Sequence, residues 1–348
     1  MSTVDLADVR RRLEQVAFPG FHHSIVRYGL VGDVRVAGGD VTVALLPASR
    51  RPEVREELRR RVTDAVRGIS GVTAVNVVEP EEAKPAGGPP SQGEPIVGVR
   101  RILAVSSCKG GVGKSTVAVN LALALKERGA KVGLLDADIY GPSVPMMMGV
   151  DARPRMASGK VEPIDRYGVS LMSMGFFLDD KSPVIWRGPM VMGAIRQFLR
   201  DVEWGELDDL IVDMPPGTGD AALTLAQQVP LSGAVIVTTP QEVALQDVER
   251  GIAMFRQVSV PVLGVVENMA YYVCPECGER EDVFGSGGGD ELSRLFRVPV
   301  LAQLPLVPEV RQGGDDGRPI VVSNPDHPVS QAFRELARAI DQARPGGA

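Results

Sequence analysis

One stretch of the sequence, ILAVSSCKGGVGKSTVAVNLALALKERG at residues 102–129, limits the choice of fold more than any other. An apolar run leads into a glycine-rich turn, and the apolar residues after Lys114, such as Val117 and Leu121, recur at helical spacing. A strand, a tight turn and a helix in this order form the unit from which parallel sheets are built. We therefore expect a sheet of this kind with helices packed on it.

Apolar runs of the same type recur further along the chain. They are KVGLLDAD (131–138), LDDLIVDMP (207–215), GAVIVTTP (233–240) and PVLGVVEN (261–268), with helical stretches between most of them. Near-continuous Val, Ile and Leu strands separated by helices indicate a mostly parallel sheet covered on both faces. In such sheets ligands bind beyond the carboxyl ends of the strands, so the polar residues after each run are the candidates for function.

The glycine-rich turn has the composition of a phosphate-binding loop. Its glycines allow backbone N–H groups to surround phosphate oxygens, and the following helix adds the positive end of its dipole. Lys114 supplies a positive charge and Ser115 a hydroxyl that can bind Mg²⁺. The sequence departs from the pattern G-x-x-x-x-G-K-[ST] at its first position, which is Cys108. The residues predicted to contact a nucleotide here are Cys108, Lys109, Gly110, Gly111, Val112, Gly113, Lys114, Ser115 and Thr116.

Polar residues end several of the predicted strands. Asp136 and Asp138 close one run, Asp213 closes another, and Asn268 follows a third. Phosphoryl transfer depends mainly on positioning and charge neutralisation, so two carboxylates, Mg²⁺ and lysines are sufficient for it. Asp136 has a second interpretation as a turn or helix cap, and Asn268 taken alone could equally be a turn residue.

Cys274 and Cys277, in YYVCPECGER at 271–280, form a second candidate site. Their C-x-x-C spacing is that of a metal chelate, but a tetrahedral metal takes four protein ligands or keeps an open position. The third cysteine, Cys108, is far away in sequence. Three cysteines argue against a disulfide framework and fit a reducing compartment. We therefore expect a cytoplasmic location.

A proline- and glycine-rich polar stretch, EPEEAKPAGGPPSQGEPIV at 79–97, divides the chain. Such a segment buries too little apolar surface to pack and is typical of a semi-rigid linker. We predict a small α+β module over residues 1–79, a linker over 80–97 and a larger α/β domain over 98–345.

Charge and hydropathy give no reason to expect a nucleic-acid or membrane partner. The formal net charge is −6, so there is no global basic field. No uninterrupted apolar segment approaches the ~18 residues of a membrane span. The first residues, MSTVDLADVRRRLEQV, lack the apolar region of a secretory signal.

Together these motifs resemble one family, the Mrp/ApbC-type (Nbp/Cfd-like) P-loop ATPases that carry iron–sulfur clusters. The matching stretches, between residues 98 and 325, are SSCKGGVGKST, LLDADIYGPSVPMMMG, VIWRGPMVMGAIRQFL, DLIVDMPPGTGD, ENMAYYVCPECG and FGSGGGDEL. Lys109 and Lys114 resemble the deviant Walker A loop of the MinD/ParA/nitrogenase-iron-protein/ArsA class of dimeric NTPases. Residues 5–80 more loosely resemble the MIP18-like (DUF59) module that often precedes this ATPase.

The resemblance implies a P-loop NTPase fold with a mostly parallel sheet covered by helices, preceded by a small α+β module. It implies that Lys109 reaches the nucleotide of the other subunit of a dimer and that Gly217 belongs to the second switch. Asp213 would hold Mg²⁺ through water, Asp138 would position the attacking water, and Asn268 would recognise adenine. The implied catalytic set is Lys109, Lys114, Asp138 and Asp213.

The resemblance also supplies the missing metal ligands. It implies that a homodimer brings two C-x-x-C pairs together, so that Cys274 and Cys277 of both subunits hold one [4Fe–4S] cluster. Slow, Mg²⁺-dependent ATP hydrolysis would then gate the binding of the cluster or its transfer to apo acceptor proteins. One alternative stays open: the same thiolates would suit structural Zn²⁺ in a positioning ATPase of the MinD/ParA kind. A reductase like the nitrogenase iron protein is disfavoured, because its cluster ligands are widely separated single cysteines.

Overall fold

The computed structural model of the protein describes residues 4–17, 24–26, 30–45, 52–78, 95–138, 141–157, 159–177, 198–199 and 201–343. The chain forms two compact units, one of residues 1–86 with 294–297 and the other of residues 87–293 with 298–348. Most of the predicted linker lies outside the described residues, and so does nearly all of the matching stretch VIWRGPMVMGAIRQFL.

The N-terminal unit contains a three-stranded sheet and two helices among its described residues. In chain order the elements are α1 (Leu6–Leu13), β1 (Val31–Ala37), β2 (Asp40–Leu45), α2 (Pro52–Arg67) and β3 (Ala74–Val78). β1 pairs antiparallel with β2, and β2 pairs parallel with β3. The apolar residues of the helices and of β2 are buried together, which gives this α+β module a core of its own; they include Val9, Leu13, Val43, Val62 and Val66.

After residue 86 strands and helices alternate along much of the chain, as the apolar runs predict, although the four described strands between residues 155 and 173 follow one another without a helix. The strands are β4 (Val99–Ser106), β5 (Val132–Asp136), β6 (Arg155–Ala157), β7 (Lys160–Glu162), β8 (Ile164–Arg166), β9 (Val169–Ser173), β10 (Leu207–Asp213), β11 (Gly233–Thr238), β12 (Val262–Glu267), β13 (Tyr272–Val273), β14 (Arg280–Glu281) and β15 (Val300–Gln303). The helices are α3 (Lys114–Glu127), α4 (Val144–Met148), a 3₁₀ turn (Met174–Phe177), α5 (Asp220–Gln228), α6 (Glu242–Gln257), α7 (Gly288–Phe296), α8 (Pro308–Asp315), α9 (Ile320–Ser323) and α10 (Pro328–Gln342).

Within the described residues, eight strands form the main sheet in the order β15-β12-β11-β4-β10-β5-β9-β8. Every neighbouring pair is parallel except β8 and β9, which are antiparallel. The predicted mostly parallel sheet is therefore confirmed. β8, β9 and β15 were not predicted, since β8 has only three residues, β9 carries serines among its apolar residues and β15 has only four residues.

The position of β4 in this order decides where a ligand can bind. Strands that follow β4 in the chain lie on both sides of it, with β10 on one side and β11 on the other. Such a switch point opens a crevice at the carboxyl ends of the strands. The glycine-rich turn follows β4 directly, so it lies in that crevice.

The opposite end of the sheet is fixed by an ion-pair network. Arg101, near the start of β4, pairs with the buried Asp209 of β10, and its second nitrogen lies 3.2 Å from Asp341 of α10. Asp341 also pairs with Arg128 at 3.0 Å, just after α3. These contacts fasten α3 and α10 to the sheet and leave the carboxyl edge to the functional residues.

No helix in the described part of the chain is both long enough and apolar enough to cross a lipid bilayer.

Candidate functional site

The loop between β4 and α3 has the backbone of an anion-binding turn. Gly111 and Gly113 have φ of 81° and 84°, a left-handed conformation that favours glycine. A β-carbon built on Gly110 or Gly111 meets no atom within 4 Å, so the space over the loop is open. α3 begins without a side-chain cap, which leaves N–H groups of its first turn available to an anion.

Lys114 and Ser115, the first residues of α3, contact the carboxylate that ends β10. The Lys114 ammonium lies 2.7 Å from Asp213 Oδ1 and 3.7 Å from Asp138 Oδ2. The Ser115 hydroxyl donates to Asp213 Oδ2 at 2.6 Å. Burial raises the pKa of Asp213, and the attraction of Lys114 opposes this. Four predicted site residues from three separate parts of the sequence thus meet at one point.

Asp136 lies beneath this cluster and fixes the turn after β5. Its carboxylate accepts hydrogen bonds from the N–H of Asp138 at 3.1 Å, the N–H of Val144 at 3.3 Å and the Ser173 hydroxyl at 2.9 Å. Burial and the neighbouring Asp213 raise the pKa of Asp136 to about 7. These contacts are those of the capping interpretation, and through them Asp136 sets the position of Asp138.

The donor set fits a divalent cation beside a phosphate group. The Lys114 ammonium lies within 4 Å of two carboxylates, those of Asp138 and Asp213, and Ser115 adds a hydroxyl beside Asp213. Asp138 Oδ1 is buried and has no hydrogen-bond partner within the described part of the chain. Carboxylate and hydroxyl oxygens are the ligands that Mg²⁺ prefers. Ser115 and Asp213 are the residues that would hold it.

Of the remaining loop residues, Lys109 faces solvent and Cys108 packs against helix α6. Lys109 is exposed and forms no ion pair with any residue that the structure describes. Cys108 is only partly buried as a residue, but its sulfur packs so closely on α6 that a β-carbon on Gly251 would lie 2.4 Å from it. Burial raises the pKa of the Cys108 thiol to about 12. Gly217, in the loop after β10, has φ of 89° and donates its N–H to the Ser107 carbonyl at 2.7 Å.

Asn268 joins the end of β12 to the phosphate-binding loop. Its side-chain amide donates to the Val112 carbonyl at 2.8 Å. A β-carbon on Gly113 would lie 2.2 Å from the same nitrogen, so this contact requires glycine as strictly as the backbone angle does. The adenine-binding role of Asn268 stays a prediction, and its contact with the loop backbone was not expected.

The two remaining cysteines lie at the tip of a short hairpin. β13 pairs antiparallel with β14, and the Cys274 N–H donates to the Glu279 carbonyl at 2.9 Å. Cys277 is exposed, and hydrogen bonds from Cys277 and Glu276 lower the pKa of Cys274. Among the described residues no three His, Cys, Asp or Glu side chains are grouped so that they could hold a metal. The hairpin of one chain therefore presents two sulfur ligands, which is half of a four-ligand site.

Two residues with structural importance for these sites were not predicted. Ser173, at the end of β9, holds Asp136, and Glu267, at the end of β12, is buried beside Asn268. The available signal for Glu267 was a charged residue in the last position of an otherwise apolar strand. Ser173 gave no such signal, because serine is common in turns and strand ends.

Comparison with known proteins assigns both parts of the chain. Residues 98–341 match the family described as NUBPL iron-transfer P-loop NTPase, and residues 6–77 match the family described as iron-sulfur cluster assembly protein. An iron-sulfur cluster carrier protein from Synechocystis is 48% identical over 334 residues, which are 94% of this chain and 94% of that protein. The iron-sulfur cluster transfer protein NUBPL of Dictyostelium discoideum is 47% identical over 248 residues, or 70% of this chain and 77% of its own.

Solved structures give the same assignment of the fold. A nucleotide-binding protein from Archaeoglobus fulgidus in complex with ADP is 42% identical, with a TM-score of 0.60 over 68% of this chain and 92% of that one. The cell division ATPase MinD of Pyrococcus furiosus, 24% identical, has a TM-score of 0.55 over 70% of this chain and 98% of its own, and supports the fold alone. The predicted family, fold class and NTPase class are confirmed: the chain belongs to the family of NUBPL iron-transfer P-loop NTPases.

Proposed function

We propose that the protein binds ATP and Mg²⁺ at the loop after β4 and, as a homodimer, carries a [4Fe–4S] cluster that it transfers to apo acceptor proteins. One observation carries the proposal. The hairpin with Cys274 and Cys277 leaves the sheet just after Asn268, whose side chain is bonded to the phosphate-binding loop. The candidate nucleotide and cargo sites therefore adjoin the same strand end, and the names of the relatives describe such a carrier.

Each residue of the nucleotide site has a part in hydrolysis that its contacts support. Lys114 neutralises phosphate charge, and the open N–H groups of α3 bind phosphate oxygens. Ser115 and Asp213 would hold Mg²⁺, which would supply charge neutralisation at the phosphates. Asp138, with its buried Oδ1 free of protein partners in the described part of the chain, accepts a hydrogen bond from the attacking water. Lys109 is exposed and free to reach the nucleotide of a second copy.

The cargo site requires two copies of the chain. A [4Fe–4S] cluster is held by four thiolates, and each chain supplies Cys274 and Cys277. A two-fold axis through paired hairpins completes the set without another cysteine. The exposed tip leaves the cluster accessible to an acceptor. Exposed thiols persist in a reducing compartment, so we place the protein in the cytoplasm.

Anaerobic reconstitution with iron and sulfide tests the cargo. We expect a broad visible absorption band and about four irons for each pair of chains. Cys274→Ala and Cys277→Ala should lose both, whereas Cys108→Ala is the matched control and should keep them, since its sulfur packs on Gly251. Colourless protein that takes up only Zn²⁺ would refute the cluster and favour the structural-zinc alternative, because four thiolates suit either metal.

A second experiment tests the carrier role. Reconstituted protein is mixed with an apo-[4Fe–4S] enzyme whose activity reports the transfer, with and without Mg²⁺ and ATP. We expect activation by the wild type and none by Cys277→Ala. Equal activation by both proteins would contradict a role for the hairpin in carrying the cluster.

A further inference from the structure

Glu267 is a buried carboxylate for which neither candidate site gives a reason. It is the last residue of β12 and only 1% exposed. Its Oε1 accepts a hydrogen bond from the Gly289 N–H at 3.0 Å, and its Oε2 accepts one from Gln303 Nε2 at 2.7 Å. No lysine or arginine in the described part of the chain forms an ion pair with it. Because a buried carboxylate is costly without compensation, these two hydrogen bonds are its support.

Both contacts lie at the base of the segment that bears the cysteines. That segment, residues 269–288, leaves the sheet after Asn268 and returns at α7. On the outgoing side the Ala270 N–H donates to Leu304 at 2.8 Å, next to β15. On the returning side Gly289 lies in the first turn of α7, where the helix dipole favours a negative charge. Glu267 thus ties the end of the segment to its beginning.

The same point is joined to the phosphate-binding loop. Asn268, the next residue, donates to the Val112 carbonyl and packs against Gly113 without spare room. The Asn268 N–H is itself held by the Thr238 carbonyl at 2.8 Å. Val112 is therefore connected to Asn268 by a hydrogen bond, and through one peptide bond to Glu267.

We infer that Glu267 is a positioning residue: by tying Gly289 to the end of β12, it couples occupancy of the phosphate-binding loop to occupancy of the cysteine pair. This inference rests on the proposed function, because it assigns a physical connection between the nucleotide site and the cysteine pair. The route passes through the backbone at Val112 and does not require the carboxylates near the terminal phosphate. ADP alone should therefore reveal the coupling, and by linkage the effect is reciprocal.

The coupling is measured as a ratio of two affinities. The dissociation constant of ADP with Mg²⁺ is determined by calorimetry on the full chain, first without metal and then after anaerobic [4Fe–4S] reconstitution. For the wild type we expect the two constants to differ by about fivefold or more, the usual lower range of allosteric coupling. For Glu267→Ala we expect a ratio near one, with ADP still bound by the metal-free protein.

Two further variants separate the tether from other effects. Glu267→Gln keeps an oxygen that can accept from Gly289 and should retain most of the wild-type ratio. Glu281→Ala removes an exposed carboxylate from the hairpin itself and should leave the ratio unchanged. If Glu267→Ala does not fold, as judged by circular dichroism, the decision rests on Gln303→Ala. This change removes the hydrogen bond from Gln303 Nε2 to Glu267 and should bring the ratio of the two ADP dissociation constants at least twofold closer to one.

Each outcome decides for or against the inference. A wild-type ratio of one, or a wild-type ratio retained in Glu267→Ala, overturns it while the cluster-carrier function stands. Loss of coupling in Glu267→Gln as complete as in Glu267→Ala also overturns it, because the tether would then not be the cause. Failure of the wild type to take up any cluster is a different result, which contradicts the proposed function itself.

Discussion

The contact between Cys108 and Gly251 gives a prediction that can be worked out from one distance. A β-carbon on Gly251 would lie 2.4 Å from Cys108 Sγ, far inside van der Waals contact, whereas the next atom, Ile236 Cδ1, is at 3.6 Å and comfortable. Gly251→Ala therefore has to displace the Cys108 sulfur, α6 or the phosphate-binding loop. Overpacking of this kind costs about 1–3 kcal/mol. The change also replaces a glycine inside a helix by alanine, which by itself raises the free energy of unfolding by about 0.5–1 kcal/mol.

The expected net result is a loss of about 1–2 kcal/mol in the free energy of unfolding for Gly251→Ala. The partner change, Cys108→Ala, removes the sulfur and leaves room for the new methyl group. In that background Gly251→Ala should be neutral or stabilising, so that the two changes show a coupling of about 2 kcal/mol in a double-mutant cycle. Urea unfolding followed by circular dichroism measures all four proteins.

Nucleotide affinity provides the second observable for this pair. Cys108 follows Ser107, whose carbonyl holds Gly217, so displacement of the loop should disturb both neighbouring turns. We expect Gly251→Ala to weaken ADP binding and Cys108→Ala to restore it. A Gly251→Ala protein of wild-type stability, or one that Cys108→Ala does not rescue, would refute the packing described for this thiol.

Three further predictions concern buried charge. Lys114→Ala should abolish ATP hydrolysis, which a phosphate-release assay measures. It should also lower the free energy of unfolding at pH 8 by about 3 kcal/mol, because Asp213 is left buried without its cation, and urea unfolding measures this loss. The pKa of Asp136 is raised from 3.8 to about 7, so the folded protein binds the extra proton and loses stability as pH rises through that interval, by up to about 4 kcal/mol. Asp136→Asn should flatten this slope in unfolding curves between pH 4 and about pH 8, and an unchanged slope would mean that another group causes it. Arg101→Ala should cost about 3 kcal/mol through the unpaired Asp209 yet leave ADP affinity unchanged, since the pair lies at the amino end of the sheet.

The phosphate-binding loop could be predicted because its parts are contiguous in sequence. The strand, the glycines, Lys114 and Ser115 lie within one short stretch, and local backbone demands determine their identity. The position of Asp213 was also predictable, since an acidic residue that ends an apolar strand must lie at the carboxyl edge of a parallel sheet. For these residues the sequence pattern alone is therefore enough to predict the position in the structure.

The supporting contacts could not be predicted, because they join residues that are distant in sequence. Asp136 meets Ser173 only because β9 pairs with β5, and β9 itself has no strong strand signal. Glu267 contacts Gly289 only because the chain forms the cysteine hairpin between them and then returns to the sheet. Spacing along the chain gives no information about such contacts, whereas sheet order does.

The sheet order also constrains the proposed dimer. β4 and β12 are separated by β11 alone, so their carboxyl ends lie about 10 Å apart on one edge. The loop that carries the exposed Lys109 follows β4, and the cysteine hairpin follows β12. In the proposed dimer, a two-fold axis that pairs the hairpins would therefore turn this edge of each subunit toward the other. In the proposed dimer, the arrangement that would complete the four thiolates is thus also the one that would bring Lys109 toward a second nucleotide site.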